Sequence, residues 1–221
     1  MATAAGCRKL FVSIEGIDYT WKTAFSEWLL RDLTSQGKRV QLTRDPAYYL
    51  SPWEQFNEFF ERGEDISKLA EAFLLLTARI DNCERIIVSA LKQNAVVIAD
   101  RYSDSWLAYQ SVRLAHYFSS IDKALEYLVA TQDRLISRGF IILPGLTLWI
   151  SENPKTAIRR ALSAAKISKY ENLPMQIKVD KQYQKLHRLY PERIKKIDIR
   201  GLDINTAYSK VLSAVTNHLE K

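Results

Sequence analysis

Residues 10–23 read LFVSIEGIDYTWKT. The run Leu10-Phe11-Val12-Ser13-Ile14 predicts a buried strand. Gly16 breaks it, and Lys22-Thr23 opens a segment with helical spacing. Strand, glycine turn, Lys-Thr, helix is the layout of a phosphate-binding loop, G-x-x-x-x-G-K-[ST]. Gly16, Lys22 and Thr23 stand in register, and Trp21 takes the place of the second glycine. In such a loop the backbone N–H groups converge on phosphate oxygens, aided by the positive end of the following helix. Glycine permits the close approach and the unusual φ values. A tryptophan there puts bulk where a phosphate should lie. On this stretch alone a phosphate loop and a plain strand-to-helix turn both stand.

The residues that follow extend the pattern. Phe25, Trp28, Leu29 and Leu33 have helical spacing, and Gly37 suits a C-terminal stop. Arg39 to Thr43 reads as a second strand. Strand, helix, strand in about 35 residues is a βαβ unit, which requires a parallel sheet and a right-handed crossover. Arg44-Asp45-Pro46 then sits at a strand's carboxyl end, where open parallel sheets bind ligands. Arg44 is therefore placed for an anion, or else is a salt-bridging surface arginine.

A short helix is expected over Pro52–Phe60, and a long one from Ile66 to about Gln93. Arg79 interrupts the apolar middle of the long one, and a lone arginine there is costly unless paired. It contacts a ligand or belongs to an internal ion pair. Ala95 to Ala99 predicts another buried strand, followed by Asp100-Arg101-Tyr102. An acid at the end of a core strand beside a phosphate loop is where a magnesium-associated carboxylate belongs, and Arg101 suits a phosphate clamp. Helices are expected over Asp104–Leu114 and Ile121–Ser137, with a strand over Leu146–Ile150. A helix from Pro154 carries Arg159 and Arg160. Ser163 to Asn172 is polar, with Lys166, Lys169 and Tyr170, and reads either as a flap over a phosphate site or as an ordinary basic loop. A helix after Asn172, a strand over Ile194–Ile199 and a closing helix over Asn205–Leu219 complete the chain.

Bulk properties narrow the class. The length of 221 residues suits one globular domain, and 47% hydrophobic with 26% charged residues is ordinary for a water-soluble protein. Cys7 and Cys83 give neither zinc spacing nor a disulfide framework, so a reducing compartment, the cytoplasm, is expected. The start MATAAGCRKLF lacks a signal peptide's apolar stretch, and no transmembrane span is expected. The net charge of +7 is uneven: from Ser151 onward 15 Lys/Arg face 7 Asp/Glu, which is +8, leaving −1 for the remainder. That third suits a polyphosphate, a membrane surface or plain solvated helix faces. Its dispersed basic residues, without interleaved aromatics, argue against nucleic acid. His116, His187 and His218 are scattered, without ligand spacing, and are expected at the surface or in packing.

Taken together, these segments resemble the thymidylate kinase family of nucleoside monophosphate kinases, over nearly the whole chain. FVSIEGID with Lys22-Thr23 is similar to that family's phosphate loop, with Asp18 at its acidic position. Thr43-Arg44-Asp45-Pro46 resembles its Thr-Arg-Glu-Pro segment, and Leu74-Leu75 to Arg79 the helix whose arginine reads the thymine. Asp100-Arg101-Tyr102-Ser103-Asp104-Ser105 with Ala108-Tyr109-Gln110 is the most specific match. Tyr170-Glu171-Asn172, with Gln176, resembles the end of the lid.

The resemblance implies an α/β fold of the P-loop kinase type: a five-stranded parallel sheet flanked by helices, with a small lid at about 163–172, in one domain over 1–221. It implies transfer of the γ-phosphoryl of ATP to dTMP, with Mg2+, in a homodimer. Gly16, Ile17, Tyr19, Thr20, Trp21, Lys22 and Thr23 would form the donor loop, with Arg160 packing on adenine. Thr23 and Asp100 would serve the metal. Asp18, Arg44, Leu75, Arg79, Arg101, Ser105, Tyr109, Tyr170 and Gln176 would surround the acceptor, and Lys166 or Lys169 would supply the lid's cation. The chain departs from the family at Trp21, Tyr19, Ala47-Tyr48 and Leu75, the last standing where a base-stacking phenylalanine is usual. These departures keep two alternatives open: a nucleotide-binding relative with a blocked donor loop, and a kinase retuned to another monophosphate.

Overall fold

The computed structural model describes residues 10–47, 66–163 and 172–220. Five parallel strands form one sheet: β1 (Phe11–Glu15), β2 (Val40–Arg44), β3 (Val96–Asp100), β4 (Leu146–Ser151) and β5 (Ile194–Asp198), in the order β2-β3-β1-β4-β5. The central strands β1, β3 and β4 are buried along their whole length. Strands covered on both faces read as continuous apolar runs rather than alternating ones, which is how these three read in the sequence.

Alternation along each strand sorts the two cores. Val12, Ile14, Ile98, Leu148 and Ile150 face α1 (Lys22–Ser35), which supplies Phe25, Leu29 and Leu33. The closing helix of the chain, Ile204–Leu219, covers the same side with Ala207, Val211 and Val215. Phe11, Val97, Ala99 and Trp149 face the opposite side. There they meet α2 (Lys68–Asn82), α3 (Val88–Lys92), α4 (Ser103–Leu114) and α5 (Ile121–Ser137). The helix α7 (Leu173–Leu189) joins that layer with Val179, Tyr183 and Leu186, after α6 (Pro154–Ser163); the closing helix is α8. Each fully buried aliphatic or aromatic side chain contributes roughly 1.5–3 kcal/mol.

The boundaries match the sequence reading to within one or two residues for most elements. Gly37 (φ 79°) follows α1, with its N–H on Thr34 O and the Lys38 N–H on Leu33 O, the arrangement a left-handed terminator gives. The single long helix expected over Ile66–Gln93 begins at Lys68 and is interrupted by a π turn over Cys83–Ile87. At its start the Cys83 Sγ accepts from the Ile142 N–H at 3.4 Å. The helix expected over Pro52–Phe60, the flap over 163–172 apart from its end residues, and Tyr48 lie outside the described residues. No helix among the described residues is long and apolar enough to cross a membrane.

The chain passes from β1 to β2 and back to β3 on one side, then crosses to β4 and β5 on the other. The carboxyl ends of β1, β2 and β3 thus lie side by side, with Ile14 and Arg44 both paired in register with Asp100. This is the crevice where open parallel sheets bind ligands.

Candidate active site

The loop leaving β1 is built on one glycine. Gly16 has φ 142°, and a Cβ on it would stand 2.6 Å from the carbonyl oxygen of Ile150. No side chain fits between those backbones. Gly16→Ala is therefore expected to destabilise the fold by about 2–4 kcal/mol, read as a lowered urea midpoint, with activity lost alongside. Ile17 is fully buried, and its carbonyl accepts from Thr20 Oγ1 at 2.9 Å and from Lys22 Nζ.

Tyr19 (φ 60°) and Trp21 (φ 61°, ψ 13°) both adopt the left-handed conformation, which costs a non-glycine residue about 1–2 kcal/mol. Trp21 thus supplies the backbone geometry that glycine gives without strain. Its indole lies edge-on to Phe25, ring centroids 6.2 Å apart, and face-on to the Arg160 guanidinium, whose central carbon is 3.8 Å from the ring centroid. The bulk expected inside the loop is packed along α1 and α6.

Lys22, the first residue of α1, is nearly buried. Its ammonium donates to Ile17 O and to Thr20 Oγ1 at 3.2 Å. Burial, reinforced by the Arg101 charge and opposed by Asp18, Asp100 and Glu15, lowers its pKa from 10.5 to about 7. An anion placed beside this ammonium would favour its charged form.

Beside it, Thr23 Oγ1 donates to Asp100 Oδ2 at 2.7 Å. Arg44 Nη2 reaches the same carboxylate oxygen at 2.8 Å and the Thr23 hydroxyl at 3.0 Å. A hydroxyl and a carboxylate side by side are hard oxygen donors of the kind Mg2+ prefers, and Mg2+ commonly takes few protein ligands and keeps waters and phosphate oxygens. That the two oxygens already draw a guanidinium marks the spot as one that favours positive charge. The residues present fit the ion.

On the other side of the loop, Arg101 carries a left-handed backbone (φ 67°) that turns its side chain back over β1. Nη1 donates to Gly16 O at 2.9 Å and Ser105 Oγ at 3.2 Å, and Nη2 pairs with Asp18. Asp18 also accepts from Tyr109 Oη at 2.7 Å and Gln176 Nε2 at 2.7 Å, while its backbone N–H donates to Gln176 Oε1 at 3.1 Å. Burial pushes the Asp18 carboxyl up, but Arg101, Lys22 and these two hydrogen bonds together hold it below the usual carboxylate range. Tyr109, Arg101, Asp18 and Gln176 thus form one connected wall. Three of the strained left-handed residues, Tyr19, Trp21 and Arg101, surround this one loop, where backbone strain tends to accompany function.

Arg79 lies buried on α2 and pairs with Asp45, also donating to Tyr102 O at 3.3 Å. Of the two readings of Arg79, the internal ion pair is present. Its Nη1, though, is buried without a hydrogen-bond partner, a donor still to be satisfied. Its guanidinium also stands 5.4 Å from the Tyr102 ring and 5.5 Å from that of Trp106. Leu75, on the same helix, is partly buried against that core. Ser105 is turned inward, donating to Glu15 and sharing a 2.8 Å hydrogen bond with Tyr183 Oη. Lys166, Lys169 and Tyr170 lie outside the described residues.

Two residues were not singled out in the sequence. Glu15 is fully buried, accepts from the Tyr102 N–H at 2.8 Å and from Ser105, and so ties β1 to the turn that carries Arg101. Burial and the neighbouring Asp104 carboxylate raise its pKa to about 7. Glu152 is buried and pairs with Arg160 at 2.7 Å. Both are acids at or just past the carboxyl end of an apolar strand, the same signal that picked out Asp100.

Comparison with known proteins bears on family and fold. The family model that matches residues 14–206 is that of thymidylate kinase. The thymidylate kinase of Acinetobacter baylyi is 30% identical over 86% of this chain and 90% of its own length. A probable thymidylate kinase of Methanococcoides burtonii is 28% identical over 95% and 97% respectively. The crystal structure of thymidylate kinase from Ehrlichia chaffeensis superposes with a TM-score of 0.69 at 23% identity, covering 93% of this chain and 97% of that one, and shares the fold.

Proposed function

The chain belongs to the thymidylate kinase family, and from that premise we propose that it transfers the γ-phosphoryl group of ATP to dTMP, giving dTDP. The observation that carries this reading is the meeting of Lys22, Thr23, Asp100, Arg44, Arg101 and Asp18 at the carboxyl ends of three adjacent strands. Phosphoryl transfer asks a protein for positioning and charge neutralisation rather than covalent chemistry, and this set offers both.

Lys22 holds the β- and γ-phosphates of the donor, and the backbone of 16–23 lines them. Thr23 and Asp100 would hold Mg2+, which would supply positive charge to offset that of the donor's phosphates. Arg101 and Arg44 clamp the acceptor phosphate. For Arg44 this means exchanging Asp100 for a phosphate, a short swing for a side chain that is half exposed. Asp18, fixed by Tyr109 and Gln176, aligns the acceptor. The unsatisfied Arg79 N–H reads the base edge, with Leu75, Ser105, Tyr109, Tyr170 and Gln176 around the nucleoside. Arg160 contacts the adenine, and Lys166 or Lys169 completes the charge clamp from a lid at about 163–172. We place the protein in the cytoplasm, as one domain over 1–221 that forms a homodimer.

The test is direct. Purified protein with ATP, Mg2+ and dTMP should give dTDP and ADP in equal amounts, and dTMP should be the best acceptor in a panel of nucleoside monophosphates. A protein that turns over no monophosphate, at any Mg2+ concentration, overturns the proposal.

A further inference from the structure

Trp21 has three features that a structural filler would not need together. It takes a left-handed backbone where a glycine would be unstrained. Its indole is only partly buried. And its face lies against a guanidinium at 3.8 Å, the separation of a full stack. That guanidinium is fixed at two further points: Nη2 reaches Glu152 Oε2 at 2.7 Å and Nη1 reaches Tyr19 O at 3.4 Å. Glu152 is itself buried, so this anchor does not move with the solvent. The Arg160 side chain nonetheless keeps a quarter of its surface exposed.

A guanidinium is flat and has two faces. Here the guanidinium sits over the indole, its two terminal nitrogens are held by a buried carboxylate and a loop carbonyl, and a quarter of the side chain remains open to solvent. A free arginine samples many rotamers and stacks weakly on a ligand because ordering it has an entropic cost. This one is ordered before any ligand arrives. Trp21 is also the residue next to Lys22, so the stack and the phosphate-binding lysine belong to one rigid turn.

We propose that Trp21 is a donor-positioning residue: it backs the Arg160 guanidinium so that the open face is a preformed platform for the purine of the nucleoside triphosphate. This rests on the reading of Arg160 as the donor-base contact. It is the Trp21 backbone, not its indole, that is proposed to line the phosphates; the indole packs on Phe25 and Arg160. It acts through Arg160, so its effect is expected on the donor, and KM for dTMP is the control.

The experiment uses the full chain and three variants, Trp21→Gly, Trp21→Phe and Arg160→Lys. Trp21→Gly is expected to weaken ATP binding by about tenfold, in calorimetric Kd and in KM, with KM for dTMP unchanged. Its Tm is expected to hold or rise, because glycine removes the left-handed strain. Trp21→Phe, which restores an aromatic face, is expected to recover most of the affinity. Arg160→Lys, which keeps the charge and loses the plane, should resemble Trp21→Gly. Titrating ATP should change tryptophan emission in the unmodified protein and much less in Trp21→Phe, a reading that stands even if Trp21→Gly folds poorly. If Trp21→Gly binds ATP as well as or better than the unmodified protein, this inference falls and the proposed function survives. If the unmodified protein binds no ATP, both fall.

Discussion

Replacing Lys22 with alanine is expected to lower kcat/KM for dTMP phosphorylation by about three orders of magnitude or more, the scale on which removal of one buried, preorganised charge acts in a transition state. The reason lies in where the ammonium is held. Its hydrogen-bond partners, Ile17 O and Thr20 Oγ1, belong to the same loop, so it is aimed before the donor arrives. Burial lowers its pKa to about 7, with Arg101 adding to the effect. A triphosphate placed against it reverses that, since an adjacent anion favours the charged form.

Donor binding should therefore take up a proton over the window from about pH 7 toward the ordinary lysine value of 10.5. Calorimetry at pH 8 in two buffers of different ionisation enthalpy reads the uptake directly, and Lys22→Ala should abolish it. The same shift has a sign in stability. The unfolded chain holds this proton to higher pH than the folded one, so stability rises as pH climbs through that window; the cost of the buried charge is fully present below about pH 7. Lys22→Met should flatten that rise. An alanine variant that keeps a tenth of the activity would mean that the charge is supplied elsewhere.

What could be read before the structure divides along physical lines. The three central strands were readable because burial on both faces leaves unbroken apolar runs, Asp100 because a polar residue ending such a run has few other reasons to be there, and Arg44 because it follows the second strand of a βαβ unit at its carboxyl end. The Gly16 position was readable from spacing alone, and its need is now explicit in the Ile150 carbonyl beside it. Glu15 follows an apolar strand just as Asp100 does but was not singled out; only the folded chain brings the Tyr102 N–H and Ser105, some ninety residues away, onto its carboxylate. Arg79 was ambiguous because pairing with Asp45 and an unsatisfied donor are both true of it, and one-dimensional reading cannot count the hydrogen bonds of a guanidinium. Trp21 was misjudged in one respect. Its identity suggested bulk in the phosphate cradle, but the direction of a side chain depends on φ and ψ, and a left-handed backbone sends it toward Phe25 and Arg160.

Asp104→Ala is expected to destabilise the protein by about 3–5 kcal/mol, the usual cost of stranding one member of a buried ion pair. Asp104 is fully buried in the first turn of α4, where the helix dipole favours a negative charge. Its two oxygens take a fork from Arg193, at 2.6 Å and 2.8 Å, and one also accepts from Thr147 Oγ1 at 3.0 Å. Thr147 passes the chain on to Ser13 at 2.9 Å. One carboxylate thus joins α4 to β4, to β1 and to the residue just before β5. Removing it leaves a mostly buried guanidinium without a counter-charge and a threonine hydroxyl without its acceptor, and for a chain of this length the loss lowers Tm by roughly 6–20 °C.

The pair itself is not expected to be worth that much. Asp104→Leu combined with Arg193→Met, which replaces both charges by apolar groups, should recover most of the loss. The consequence for function follows from α4, which carries Tyr109 of the acceptor wall and Ser105, a partner of Arg101. Loosening its first turn should raise KM for dTMP while KM for ATP, set by α1 and α6, stays nearly constant. Urea midpoints of the two variants, together with the two KM values, decide it. A single variant that loses less than about 1 kcal/mol would mean that Arg193 swings into solvent, and the network would then be a consequence of the α4 position rather than its cause.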